Sequence, residues 1–161
     1  MPRQKLREYL DSHDIQYVVI SHSIVYTAQG IATLAHISGK ELAKTVIVKI
    51  DGALAMAVLP TSRHVDLSQL RTAAGAKNAE LASEEEFKKR FPDCETGAMP
   101  PFGNLYGMPV FADESLSRDK EIAFNAGSHR ELVRLSWEDF ARLVKPKVTA
   151  FASGKIRSSA A

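Results

Sequence analysis

Apolar residues recur along this chain with two different periods, and the places where the period changes mark its elements. Leu6, Tyr9, Leu10 and His13 stand at i, i+3, i+4 and i+7, one face of an amphipathic helix over residues 3–13. Asp14 breaks that pattern, and IQYVVI (15–20), rich in β-branched residues, reads as a strand. Thr27 can cap a helix from Ala28 to Ile37 that turns Ile31, Leu34 and Ala35 inward and stops at Gly39. TVIVKI (45–50), Asp51-Gly52 and ALAMAVLP (53–60) spell two apolar runs joined by a type I′ turn, a β-hairpin. Asp66 caps a short helix over 67–74 that ends at Gly75. Ser83 and Glu86 form a capping box for a helix through Arg90, closed by Pro92. MPVFAD (108–113) reads as a strand, EIAFNAG (121–127) and ELVRL (131–135) as a second hairpin, and Ser136 and Asp139 open a last helix that ends at Lys145-Pro146.

Strands and helices are interspersed, and two strand pairs are hairpins. The pattern therefore predicts an α+β single domain, a curved mixed β-sheet with helices packed around it. A domain over 1–146 and a mobile, polar C-terminal tail over 147–161 are expected. The chain has 161 residues, enough for a real core, with 45% hydrophobic and 25% charged residues. No apolar run approaches the ~20 residues of a membrane span, and MPRQKLREYL has no apolar core of a secretory signal. A single cysteine, Cys94, forms no intrachain disulfide, so a reducing cytoplasmic location is expected. A net charge of +2 permits an RNA partner without arguing for one.

Chemistry concentrates in two places. In DCETGAMPPFGNLYGMPVFAD (93–113), Gly97, Pro100, Pro101 and Gly103 restrict the backbone to one shape. The amides of Gly97, Ala98, Met99, Phe102 and Gly103 can then be aimed at an anion or a developing oxyanion, although an ordinary Pro/Gly turn has the same composition. Lys44 leads a strand on the side of Val46, Val48 and Ile50. An inward lysine is costly unless it meets an anion or a carbonyl, while an outward one is merely solvated. Histidines at 13, 22, 36, 64 and 129 show no metal-ligand spacing, so no metal or other cofactor is expected. His22 and His129 are placed to reach a pocket. Cys94 lies between Asp93 and Glu95, acids that weaken a thiolate nucleophile, which disfavours a cysteine hydrolase. Asp113 suits a structural cap as well as a site.

AKTVIV (43–48), VLP (58–60), VDL (65–67), GAMPPFG (97–103), VFAD (110–113) and FNAG (124–127) occur in an order that resembles the YbaK/ProRS-associated editing domains, free-standing relatives of the insertion domain of bacterial prolyl-tRNA synthetase. The resemblance covers roughly residues 5–145. Its most specific parts are the strand-leading lysine and the G-x-x-x-P loop.

The resemblance implies trans-acting hydrolysis of the ester in mis-aminoacylated tRNA, without metal or covalent intermediate. It implies an essential Lys44 on the aminoacyl carbonyl or terminal phosphate, and loop amides from Gly97, Ala98, Met99 and the segment to Pro101 on the oxyanion. Substrate contacts would come from His22, Tyr26, Phe102, Gly103, Asp113 and His129. The free ribose hydroxyl of the terminal adenosine would help activate water. The expected partners are the aminoacylated 3′ end of tRNA and, transiently, an aminoacyl-tRNA synthetase, with no membrane. The alternative is a non-catalytic module that binds an aminoacyl-nucleotide or tRNA end as a regulator. Lys40, Lys44, Lys49, Arg63, Arg130 and the basic tail are candidates for phosphate contacts.

Overall fold

The Asp51-Gly52 turn is the local feature from which the sheet grows. In the computed structural model, which describes residues 2–21, 42–91, 94–95, 98–128 and 131–154, both turn residues adopt positive φ (51° and 86°). That is what a type I′ turn demands. It joins β2 (Ala43–Ile50) to β3 (Ala53–Pro60) in unbroken antiparallel register from Ala43↔Pro60 to Ile50↔Ala53. The Asp51 carboxylate also accepts the amides of Lys77 and Asn78 (3.0 and 2.9 Å), which pins β5 (Ala79–Leu81) beside β2.

On the other side of β3, β6 (Val110–Asp113) and then β9 (Lys147–Thr149) pair in parallel. The five-stranded order is β5-β2-β3-β6-β9, mixed as expected. A second, antiparallel sheet orders β1 (Tyr17–Ser21), β8 (Glu131–Ser136) and β7 (Glu121–Asn125). It touches the first through a parallel bridge between Leu42 and Ala123. Two short strands, β4 (Arg63–Val65) and β10 (Ala152–Gly154), form a ribbon.

The strand alternation of the large sheet sends its side chains into two separate apolar clusters. Ala43, Ile47, Met56, Val58 and Val110 face α1 (Pro2–Ser12), the three-stranded sheet and the last helix, α4 (Trp137–Val144). There Leu6 and Leu10 of α1 and Phe140 of α4 are fully buried, each side chain contributing about 1.5–3 kcal/mol. Val48, Ala55, Ala57, Leu59 and Phe111 face the opposite way, onto Leu70 of α2 (Leu67–Ala74) and onto Phe151.

The helix ends follow the residues that predicted them. Asp66 accepts the amide of Gln69 at 3.0 Å, and Gly75 closes α2 in the left-handed conformation. Ser83 and Glu86 complete a capping box on α3 (Glu84–Phe87), continued as a 3₁₀ turn to Arg90. The helix expected over Ala28–Ile37 lies outside the described residues. No described helix is long and apolar enough to cross a membrane.

One boundary is corrected. Residues from 147 onward do not begin a mobile tail. β9 extends the large sheet, β10 pairs with β4, and the Phe151 between them is 0% exposed. Residues 155–161 lie outside the description.

Candidate active site

Lys44 is the second residue of β2 and the registered partner of Leu59. Backbone alternation puts it on the face of Val46 and Val48, over the cluster of α2 and Phe151. The side chain is half-buried, and burial lowers its pKa below the ordinary lysine value. Among the described residues it has no carboxylate partner. Lys49, also considered for phosphate, is different. Its ammonium is 2.6 Å from Glu86 and 3.7 Å from Glu80, and the hydrogen bonds that Glu86 accepts from Lys49 and from the Ser83 amide pull its pKa down to about 2. That lysine is consumed by its own surface, so the phosphate assignment to Lys49 is withdrawn.

Asp113 ends β6. The last registered pair between β3 and β6 is Val58↔Ala112, so one further step brings Asp113 level with Leu59 and hence in line with Lys44. The two charged residues stand two strand spacings apart on the same face, about 10 Å. Asp113 is 2% exposed. One carboxylate oxygen accepts the amides of Phe151 and Ala152 (3.0 and 2.9 Å), and the other accepts the amide of Ser115 (3.1 Å) and its hydroxyl. Burial alone would raise its pKa. The hydrogen bonds of Ser115, Phe151 and Ala152 outweigh it and hold the carboxyl below its usual range. Asp113 is thus a clasp on the C-terminal segment, and its expected role as a substrate contact is corrected. Arg63, from β4, approaches the same carboxylate at 3.8 Å.

The Gly/Pro loop is built more tightly than its composition suggested. Residues 98–103 are all buried. Phe102 is 0% exposed, with ring centroids 6.1 Å from Tyr9, 5.6 Å from Phe124 and 5.5 Å from Phe140. Its surroundings are core, so it is not a substrate contact. Gly103 is required by packing. A Cβ there would lie 2.3 Å from the Met108 carbonyl oxygen and 2.6 Å from a Val110 methyl. Its carbonyl accepts the amides of Tyr106 and Met108. The Ala98 amide donates to the Glu95 carbonyl at 3.0 Å and is unavailable to an oxyanion. The amides of Met99, Phe102 and Gly103 find no acceptor among the described residues.

Met99 and Phe102 belong to the cluster that holds Ala43 and Ile47, so their side chains and that of Lys44 lie on opposite faces of β2. The two regions are joined through main chain. Leu42, two residues before Lys44, bridges to Ala123 of β7, and that hairpin continues to Gly127, whose amide donates to the Ala98 carbonyl at 2.8 Å. Pro101 is buried within the loop. Gly97, His22, Tyr26 and His129 lie outside the described residues, as do Lys40 and Arg130. Cys94 is half-buried, with Sγ 3.9 Å from the Tyr106 hydroxyl. Among the described residues no group of three or more His, Cys, Asp or Glu could hold a metal ion. The clasp of Asp113 on residues 151–152 went unseen in the sequence. Its one signal was Phe151, a large apolar residue in an otherwise small and polar segment.

The sheet thus carries, near the start of β2, a half-buried ammonium with no carboxylate partner among the described residues. The aminoacyl-tRNA editing domain matches residues 22–143. The chain belongs to that family of aminoacyl-tRNA deacylases, hydrolases of the ester between amino acid and tRNA. It is 30% identical over 153 residues to the multifunctional Ser/Thr-tRNA deacylase ProXp-y of Escherichia coli K12, covering 92% of this chain and 91% of that one. A proline–tRNA ligase of Bacillus mycoides is 25% identical over 87 residues, 54% of this chain and 15% of the ligase. A crystal structure described provisionally as a trans-editing enzyme for prolyl tRNA synthetase superposes with a TM-score of 0.82 at 18% identity, covering 95% of this chain and 98% of that one. That last likeness concerns the fold.

Proposed function

We propose that the protein removes wrongly attached amino acids from tRNA in trans, with the Lys44 ammonium as the electrostatic centre of the reaction. The observation that carries this reading is a half-buried lysine whose charge is disfavoured by burial and compensated by no acid among the described residues. Such a cation is stabilised when a carbonyl oxygen gains negative charge beside it. An aminoacyl ester is already activated, so its hydrolysis needs a positioned water and a stabilised oxyanion rather than a Ser-His-Asp constellation or a metal. The free ribose hydroxyl of the terminal adenosine is the proposed aid to water activation. Of the described loop amides, those of Met99, Phe102 and Gly103 are the candidates for a second oxyanion contact, since Ala98 is committed to Glu95. The relative named as a Ser/Thr-tRNA deacylase makes seryl and threonyl esters the first substrates to test. Pocket size would set selectivity, with one methylene worth only about 1–3 kcal/mol. A transient encounter with an aminoacyl-tRNA synthetase would deliver the charged end.

Incubation with a panel of mischarged tRNAs should release amino acid, with serine and threonine among those released. Lys44→Ala should lower kcat/KM at least 100-fold, the scale set by removal of a single oxyanion donor. A panel that survives intact would remove the enzymatic reading.

A further inference from the structure

The guanidinium of Arg63, like those of Arg7, Arg118 and Arg134, meets its carboxylate only at 3.6–3.8 Å, and what sets it apart is that this carboxylate is the buried one of Asp113. Arg90 donates to the Tyr106 carbonyl at 2.8 Å and Arg142 to Asp139 at 2.9 Å. Arg63 meets Asp113 at 3.8 Å, close enough for charge attraction and too far for a hydrogen bond. The Asp113 oxygens are already occupied by Phe151, Ala152 and Ser115. The carboxylate therefore orients the guanidinium without spending its five N–H donors, and none of them is hydrogen-bonded among the described residues. The side chain is 32% exposed. Its strand, β4, is held by β10, with Arg63 opposite Gly154. Asp113 lies in line with Leu59 and Lys44. Among the described residues, two cations thus stand near one end of the sheet, one with no acid partner and one with no hydrogen bond spent.

We propose that Arg63 is a substrate-binding residue that holds a phosphate of the tRNA 3′ end while Lys44 faces the ester. This rests on the deacylase reading above. A single terminal nucleotide carries both groups, the ester on one side of the ribose and the 5′-phosphate on the other. A planar guanidinium with unspent donors suits a phosphate, which it can grip in bidentate fashion.

The test compares two minimal substrates, a 3′-aminoacyl-adenosine and the same ester carrying a 5′-phosphate. The intact protein should prefer the phosphorylated ester by about tenfold or more in kcat/KM. In Arg63→Ala that ratio should fall towards one, mainly through KM, and Arg63→Lys should recover part of it. Arg118→Ala, which breaks an exposed pair with Glu114, should keep the full ratio. Because both esters are measured on the same sample, loss of folded protein cannot imitate the effect. On mischarged tRNA, Arg63→Ala should also reduce the slope of log(kcat/KM) against log[salt] by about 0.7, one single-strand phosphate contact. An unchanged ratio and slope in Arg63→Ala would overturn the proposal while the deacylase stands. No hydrolysis of either ester or of any mischarged tRNA by the intact protein would overturn the deacylase reading itself, and the proposal with it.

Discussion

The role proposed for Lys44, a charge held in a half-buried place, should reveal itself through pH. Burial lowers the Lys44 pKa, so its ammonium is lost at a lower pH than the ~10.4 of a free lysine. Activity that depends on that charge should decline as pH rises through the lowered value. Arginine keeps its charge above pH 12. Lys44→Arg should retain a fraction of the activity and lose this alkaline decline. The measurement is kcat/KM on mischarged tRNA between pH 7 and 10, corrected for spontaneous ester hydrolysis. A decline of equal midpoint in both proteins would remove Lys44 as its source. Stability carries the same information with its own sign. Between the folded and unfolded pKa values the unfolded chain binds more protons, so stability rises with pH there. At this scale the sequence placed Lys44 at the start of a strand, and it gave no sign that Phe102 and Gly103 are packed into the core. Residue type identifies a lysine that leads a strand. It does not distinguish a phenylalanine beside a ligand from one enclosed by Tyr9, Phe124 and Phe140.

Elements whose determinants are local were read correctly from the chain. The Asp51-Gly52 hairpin, the Asp66 and Ser83 caps and the Ser136 cap each depend on residues within four positions of one another. The sequence suggests restricted backbone over 98–103, and the structure shows in addition that all six residues are buried. The loop's rigidity comes from being packed under the sheet, which no local pattern encodes. Gly103 gives a direct measure. Its φ lies outside the left-handed region, so alanine faces no backbone strain, only the 2.3 Å and 2.6 Å approaches to Met108 and Val110. Gly103→Ala should therefore cost about 1–3 kcal/mol by overpacking, seen as a lower urea midpoint at unchanged m-value. Wild-type stability in this variant would show that the loop yields freely and is not held by the close packing of Gly103 against Met108 and Val110.

The whole molecule is closed by a contact between sequence positions far apart, and for that reason it was invisible in the one-dimensional pattern. β3 and β6 pair in parallel across some fifty residues, and only that pairing sets Asp113 in line with Lys44. The same carboxylate then reaches the amides of Phe151 and Ala152, while Phe151 fills the cluster under α2 and its carbonyl accepts the Asp66 amide at 2.7 Å. The C-terminal segment thereby packs on the face that bears Lys44 and holds the carboxylate that Arg63 approaches. The acid dependence of folding should show it. The folded pKa of Asp113 lies below the unfolded value of ~3.9. Its stabilisation is therefore complete above pH ~4 and lost as pH falls through the lower, folded value. Glu86, also lowered, contributes to the same limb, so the comparison must be with a variant. Asp113→Ala leaves buried amides without an acceptor and should cost about 2–4 kcal/mol at pH 7. It should also flatten the fall in stability between pH 5 and 2 relative to the intact protein, both read by urea denaturation. If the variant matched the intact protein at both ends of that range, the C-terminal strands would be held by Phe151 and the β4 ribbon alone, and Arg63 would lack the carboxylate that orients it.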